Sequence, residues 1–225
     1  IVVVFNGEIY NFQQLIPELQ ALGYRFRTKS DTEVIVHAWA AWGEDCVQRL
    51  RGMFAFVLWD RNRKTLFMAR DRLGVKPLYW ALLDDGTLLF GSELKAVLAY
   101  SDARGNALPR DIDPRAVEEY FALGYVAEPR TIFRAAHKLE PGHSLAVRRG
   151  QPLPAPRRYW DVNFTLDNPI SAEDACDELR ARLSESVKLR LISEVPLGAF
   201  LSGGVDSSAV VASMAGLSDT PVHTC

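Results

Sequence analysis

Leu201-Ser202-Gly203-Gly204-Val205-Asp206-Ser207-Ser208 is the stretch on which the reading of this chain turns. The run Pro196 to Leu201 ahead of it has the pattern of a strand, and Ser207 to Leu217 behind it that of a helix. The stretch between is therefore a Gly-rich loop at a strand-to-helix corner. At such a corner the first helical amides lack internal partners and the helix dipole is positive, so an anion is stabilised there. Gly203 and Gly204 let the backbone approach phosphate oxygens without an intervening Cβ, while Ser202, Ser207 and Ser208 offer hydroxyl donors. Asp206 repels phosphate but suits a Mg²⁺ ion bridging to it. A Walker-type loop needs a Lys before its Ser/Thr, and none stands here, so γ-phosphoryl transfer is not indicated. A bare Ser-Gly-Gly is as often a simple turn. Asp206-Ser207-Ser208 and the flanking elements favour a site for the phosphates of ATP, built from Leu201 to Ser208 with Val205 among them.

Working outward, Val222 opens a further strand, so the loop belongs to the start of a βαβ unit. Upstream, Ser171 caps a long helix whose Ala175, Leu179, Leu183, Val187 and Leu191 recur every fourth residue on one face. Gly150 to Arg158, with three prolines and two arginines, reads as a connector. The pattern before it is different. Ile1 to Phe5 is strand-like and runs into Asn6-Gly7, a pair suited to a sharp turn. Leu15, Leu19 and Leu22 mark one helix ending at Gly23. Ser30-x-x-Glu33 has capping-box spacing ahead of another, with Ile35, Ala38, Trp39 and Trp42 inward and Gly43 at its end. Met53 to Asp60, Thr65 to Asp71, Leu78 to Leu83 and Thr87 to Gly91 read as an antiparallel meander. Asp113-Pro114 starts a helix that stops before Gly124, and His143 to Arg149 forms another strand. Antiparallel strands first and a parallel unit second predict two domains of different class, residues 1–157 and 158–225.

With 225 residues, 48% of them hydrophobic and 24% charged, the chain can build a substantial core. A formal net charge of −2 without a Lys/Arg cluster gives no reason to expect nucleic acid or an anionic membrane as partner. No apolar run approaches the roughly 18 residues that span a bilayer, and no secretion signal stands at the N-terminus, so the cytoplasm is the expected compartment. Cys46, Cys176 and Cys225 form no disulfide scaffold or metal pair and read as reduced, packed thiols. His37, His137, His143 and His223 lack ligand spacing, and no protein-bound zinc is expected. The chain opens inside an apolar run without Met and stops at an incipient strand, which suggests a fragment.

Several ordered motifs carry a resemblance. Ser202 to Ser208 after its strand resembles the N-type ATP pyrophosphatase loop of glutamine-dependent asparagine synthetases and their relatives. Phe5-Asn6-Gly7-Glu8-Ile9-Tyr10-Asn11, Ser30-Asp31-Thr32-Glu33, Arg51-Gly52-Met53-Phe54-Ala55-Phe56, Arg70 to Tyr79 and Gly91-Ser92-Glu93 resemble the class II glutamine amidotransferase domain of the same family. Trp80 and Ala127 depart from it, standing where relatives often carry Tyr and Pro. The resemblance implies α+β followed by α/β architecture. An Ntn-hydrolase-like αββα glutaminase sandwich would come first, then the beginning of a Rossmann-like PP-loop ATP pyrophosphatase domain.

The same resemblance implies an N-terminal Cys nucleophile acting through a thioester, with its own α-amino group as base; this sequence contains no such Cys. It implies the Asn6 side chain and the Gly7 backbone N–H as the oxyanion hole, and Glu8 and Asp31 as carboxylates for the glutamine α-amino group. From spacing alone Asn6 would be a turn residue and Asp31 part of a helix cap. Arg70-Asp71 and Lys76-Pro77 read as turn-fixing rather than catalytic. The implied enzyme hydrolyses glutamine and amidates an ATP-activated carboxylate, with aspartate the leading acceptor, using ATP and Mg²⁺, and works as a homodimer. Rivals are a relative acting on another carboxylate, such as an exopolysaccharide or cell-envelope component, and a non-catalytic regulatory relative. A phosphoribosyl amidotransferase is disfavoured because Ser202 to Ser208 belongs to the wrong second domain for it.

Overall fold

The computed structural model describes residues 1–101, 105–164, 169–193 and 195–225. The chain divides into two compact units, Ile1–Val162 and Asn163–Cys225.

Unit one contains two antiparallel sheets. β1 (Val2–Ile9), β2 (Gly52–Asp60), β3 (Thr65–Arg70), β7 (His143–Arg148) and β8 (Arg157–Arg158) line up in the order β1-β2-β3-β7-β8. β4 (Tyr79–Leu82), β5 (Leu88–Gly91) and β6 (His137–Lys138) form the order β5-β4-β6. Alternation along β2 shows why the unit is layered. Phe54, Phe56 and Leu58 face α1 (Phe12–Ala21) and α2 (Asp31–Trp42), meeting Leu15, Leu19, Ile35 and Trp39. Ala55 and Val57, on the other face, meet Leu78, Trp80 and Phe90 of the second sheet. The outer face of that sheet buries Ala81 and Leu89 against Val97 of α4 (Leu94–Leu98). These three apolar seams define an αββα sandwich, as expected. Between α2 and β2, a 3₁₀ turn at Gly43–Asp45 leads into α3 (Cys46–Arg49). α5 (Pro114–Leu123) starts where Asp113 accepts the Arg115 N–H and ends at left-handed Gly124, as its local signals predict.

Several expectations are corrected. Asn6-Gly7 is no turn: the β1–β2 ladder runs unbroken from Val2↔Trp59 to Ile9↔Gly52, and pairing with a distant segment overrides local turn preference. The bend falls later, where the Asn11 side chain clasps Arg49 O at 2.9 Å and Arg51 N at 2.8 Å. The meander is broken into two sheets, because Asp71 draws the chain away from β3 and β7 returns to pair with it. Leu22 lies past the end of α1 and is exposed. Ser30 caps α2, but Glu33 bonds to the preceding loop instead of completing the box. The supposed connector ends in β8, paired to His143 and Ser144.

In unit two, α6 (Ala172–Arg190) is capped by Ser171, whose Oγ accepts Asp174 N–H at 3.1 Å. β9 (Gly198–Ala199), α7 (Val205–Leu217) and β10 (His223–Thr224) form a βαβ unit with β9 and β10 parallel, as predicted. Bonds from Leu201 N to Cys225 O at 2.9 Å and from Cys225 N to Ala199 O at 3.1 Å lengthen that ladder. The strand is shorter than the predicted 196–201, and α7 begins two residues before Ser207. Leu179 is exposed while Val187, two turns on, is buried, so only part of the α6 stripe is covered.

Candidate active site

Asn6, Gly7 and Glu8 occupy successive positions of β1 opposite Ala55, Phe54 and Met53. β1 is an edge strand, so one side of its backbone has no ladder partner. Phe54 turns both backbone groups away from Gly7: its N–H donates to Asp71 Oδ2 at 3.2 Å, and its carbonyl accepts the Asp71 N–H at 2.7 Å. Antiparallel ladders alternate bonded and non-bonded pairs, so Gly7 sits at a non-bonded position and its N–H faces the open edge. Glycine is required there. Its φ is 144°, and a Cβ would lie 2.0 Å from the Met53 carbonyl oxygen.

Asn6 lies on the strand face turned to the second sheet, where its Nδ2 donates to Ser92 Oγ at 3.1 Å. Both residues line a cavity of about 160 Å³ between the sheets, whose other lining side chains are apolar. Glu8 is exposed. Asp31 opens α2, and its Oδ2 accepts the Ile9 N–H at 3.0 Å, which pins this carboxylate one residue beyond Glu8. The four residues singled out in the sequence are thus gathered along the second half of β1. Glu33 steadies the approach to Asp31 by accepting Arg27 N at 2.9 Å, Thr28 N at 2.7 Å and the Thr28 hydroxyl at 2.5 Å. The Thr28 hydroxyl bond and then the Arg27 amide hold its pKa down from 4.5 to about 2.

Arg70 and Asp71 hold a turn, as read. Buried Arg70 donates to the carbonyls of Lys76 at 2.8 Å, Gly74 at 2.8 Å and Leu139 at 2.7 Å, and pairs with Glu128 at 3.2 Å. Asp71 also collects the amides of Leu73 at 3.1 Å, Val75 at 3.0 Å and Lys76 at 2.9 Å. Cys46 is packed in the core, where burial pushes its thiol up to about 12 and leaves it inert as a nucleophile. Cys176 and Cys225, expected to be packed, are exposed. Ser92 has no role legible in the sequence beyond its place in Gly91-Ser92-Glu93.

In unit two, Gly203 takes φ 80° in open space, and Gly204 is the N-cap of α7. Glycine offers no capping side chain, so the first-turn amides at Val205, Asp206 and Ser207 are left uncapped. Ser202 Oγ and Ser207 Oγ are 3.0 Å apart, and Ser207 Oγ donates to Gly204 O at 3.2 Å. Ser208 N closes the first helical bond on Gly204 O at 3.1 Å. Asp206 is exposed at the second helical position. Asp206, Ser207 and Ser208 therefore belong to the helix and not to the loop, because Gly204 already serves as the cap.

The αββα sandwich of unit one defines the class, and similarity to known proteins agrees. Residues 1–160 match the glutamine amidotransferase domain family, and residues 178–225 match the asparagine synthase family. The chain belongs to the glutamine amidotransferase domain family, followed by a segment of asparagine synthase type. It is 40% identical to asparagine synthetase (glutamine-hydrolyzing) 3 of Bacillus subtilis (strain 168), covering 99% of this chain and 36% of that protein. To asparagine synthetase (glutamine-hydrolyzing) 1 of the same organism it is 38% identical, over 93% of this chain and 32% of that one. To amidase chyE of Penicillium rubens (strain ATCC 28089 / DSM 1075 / NRRL 1951 / Wisconsin 54-1255) it is 36% identical, over 95% and 30% respectively. The chain spans about a third of the length of these relatives. Among the described residues, no helix is long and apolar enough to cross a membrane.

Proposed function

We propose that the chain forms part of a glutamine- and ATP-dependent amidotransferase that makes asparagine from aspartate. The observation that carries this reading is the pair of adjacent donors, Asn6 Nδ2 and the outward Gly7 N–H, on the open edge of a glutamine amidotransferase domain. In glutamine hydrolysis a thiolate, expected from an N-terminal Cys, adds to the side-chain carboxamide carbon and pushes charge onto its oxygen. Donors fixed before reaction stabilise that oxyanion without reorganising, worth roughly 10²–10³ in rate for one donor. The C–N bond then breaks, ammonia leaves, and water releases glutamate from the thioester. Glu8 and Asp31 supply negative charge for the α-ammonium at the same end of β1.

Unit two would hold the ATP phosphates on the uncapped amides of α7 and the hydroxyls of Ser202, Ser207 and Ser208. The acceptor carboxylate attacks the α-phosphorus, pyrophosphate leaves, and ammonia then displaces AMP from the acyl-adenylate. Mg²⁺ takes one or two carboxylates and fills its shell with phosphate oxygens and water; Asp206, exposed at the second position of α7, would be such a ligand. Bound there, the ion offsets phosphate charge.

The relatives named asparagine synthetase support aspartate as acceptor. A relative of comparable identity carries a different name, amidase, so a second reading leaves the acceptor open to another carboxylate, such as an exopolysaccharide or cell-envelope component. The complete protein, given ATP, Mg²⁺, glutamine and one acid at a time, separates the two. Pyrophosphate and glutamate should appear together with aspartate. Release with a different acid alone moves the assignment to the second reading, and no pyrophosphate with any acid removes the ATP site.

A further inference from the structure

We infer that Ser92 is a positioning residue for glutamine hydrolysis: it aims the Asn6 amide that receives the developing oxyanion. The inference rests on the reading of Asn6 as an oxyanion donor and adds to it the group that makes that donor effective.

A terminal amide on a short side chain swings about a soft torsion with broad, roughly two-fold preferences, so a strand position alone does not fix which way its N–H bonds point. Asn6 has its Nδ2 tied to Ser92 Oγ at 3.1 Å. One N–H is used in that bond. The second lies in the same plane, about 120° away by trigonal geometry, and its direction is set once the first is anchored. Ser92 is a firm anchor. It follows β5, whose Gly91 pairs with Tyr79 of β4, and it stands two residues before α4 begins at Leu94. The bond therefore runs from a rigid corner of one sheet to the edge strand of the other, between residues 86 apart in sequence.

The surroundings strengthen it. Asn6 and Ser92 supply the polar side chains of a cavity otherwise lined by groups such as Val4, Val57, Leu78 and Phe90. The pair is partly buried, and an amide that lost its partner would be free to turn.

The test uses the complete protein, with glutaminase kcat and KM, thermal stability and ammonia-driven amide synthesis as readouts. Asn6→Ala should lower glutaminase kcat about a hundredfold or more. Ser92→Ala should lower it about tenfold, the scale of one neutral hydrogen bond, with KM for glutamine within about twofold. Ser92→Cys, similar in shape but a poor acceptor, should behave like Ser92→Ala, and Ser92→Thr should keep most of the activity. In an Asn6→Ala background, Ser92→Ala should cost nothing further. The same tenfold loss in that background overturns the inference. So does a Ser92→Ala effect confined to KM, or one shared by melting temperature and ammonia-driven synthesis, which would make the bond a staple between sheets. Full glutaminase in Asn6→Ala sinks the oxyanion reading itself, a result distinct from any Ser92 outcome.

Discussion

Gly7 in unit one and Gly203-Gly204 in unit two stand at candidate sites for opposite reasons. Around Gly7 the backbone of β2 is so near that a Cβ would sit 2.0 Å from Met53 O and 2.7 Å from Phe54 Cα. A Cβ on Gly203 would meet nothing within 4 Å beyond its chain neighbours, and only its φ of 80° calls for glycine. Gly204 has ordinary backbone angles, and its Cβ would first meet Ser202 Oγ at 3.5 Å. The first site is thus built by tertiary structure, from strand pairing and a buried carboxylate far along the chain. The second is built by local structure, from a helix that starts without a cap. In the first, binding geometry and folding are one problem; in the second they can be separated.

The sharpest way to break that contrast is Gly7→Ala. Backbone cannot yield as a flexible side chain can, so overpacking and the unfavourable φ together should cost about 3–4 kcal/mol or more. Denaturant unfolding reads this directly, and a loss under about 1 kcal/mol would mean that β1 and β2 can part there at little cost. Asp71→Ala comes next. It strips the acceptor from four amides, at Phe54, Leu73, Val75 and Lys76, and should destabilise by about 2–3 kcal/mol. Hydrogen exchange should rise at those four amides before it rises in α1 or α2. If exchange rises evenly through unit one, Asp71 is not a local organiser of the Gly7 edge.

The same contrast explains what the sequence could reveal. α5 was legible at both ends because its signals are local: Asp113 caps, Pro114 occupies the first turn, and Gly124 closes in the left-handed region. The Ser171 cap of α6 is of the same kind. Asn6-Gly7 has local turn chemistry but lies in a strand, because its conformation is decided by residues 54 and 55, across a ladder that no short window contains. The split of the meander into two sheets hangs on one carboxylate, Asp71, drawing in the amides of the following loop. Asn6 and Ser92 both stood in recognisable motifs, yet their hydrogen bond depends on how two sheets face each other, which periodicity does not encode. In unit two the Gly-rich strand-to-helix corner was legible as a motif, whereas the helix start was off by two residues because Gly204, lacking a side chain, serves as the cap.

Unit two should respond more mildly. Gly203→Ala forces an L-residue into the left-handed region and should cost about 1 kcal/mol. Gly204→Ala should leave stability within about 0.5 kcal/mol while weakening ATP affinity about tenfold, since the new methyl stands where phosphate would approach the first-turn amides. Titration calorimetry with ATP and Mg²⁺, set beside a melting curve, measures both. Equal losses of affinity and stability in Gly204→Ala would erase the distinction between the two glycine regions.

A pH-dependent effect concerns the two helix starts that flank the candidate sites. α7 begins uncapped, whereas α2 begins with Ser30 as cap and with Glu33 gripping Arg27 and Thr28. Glu33 titrates near 2 in the folded chain against an ordinary 4.5. A depressed folded pKa means that its contribution is complete above about 4.5 and is lost as pH falls toward 2. Glu33→Gln keeps the shape and removes the charge, so at pH 7 it should destabilise by about 1 kcal/mol, and the gap from the parent should close between pH 5 and 2. Stability curves at half-unit steps test this. A gap that stays constant to pH 2 would mean that neutral hydrogen bonding by the carboxyl, not its charge, fastens the loop before Asp31. α2 would then be held as locally and neutrally as the start of α7.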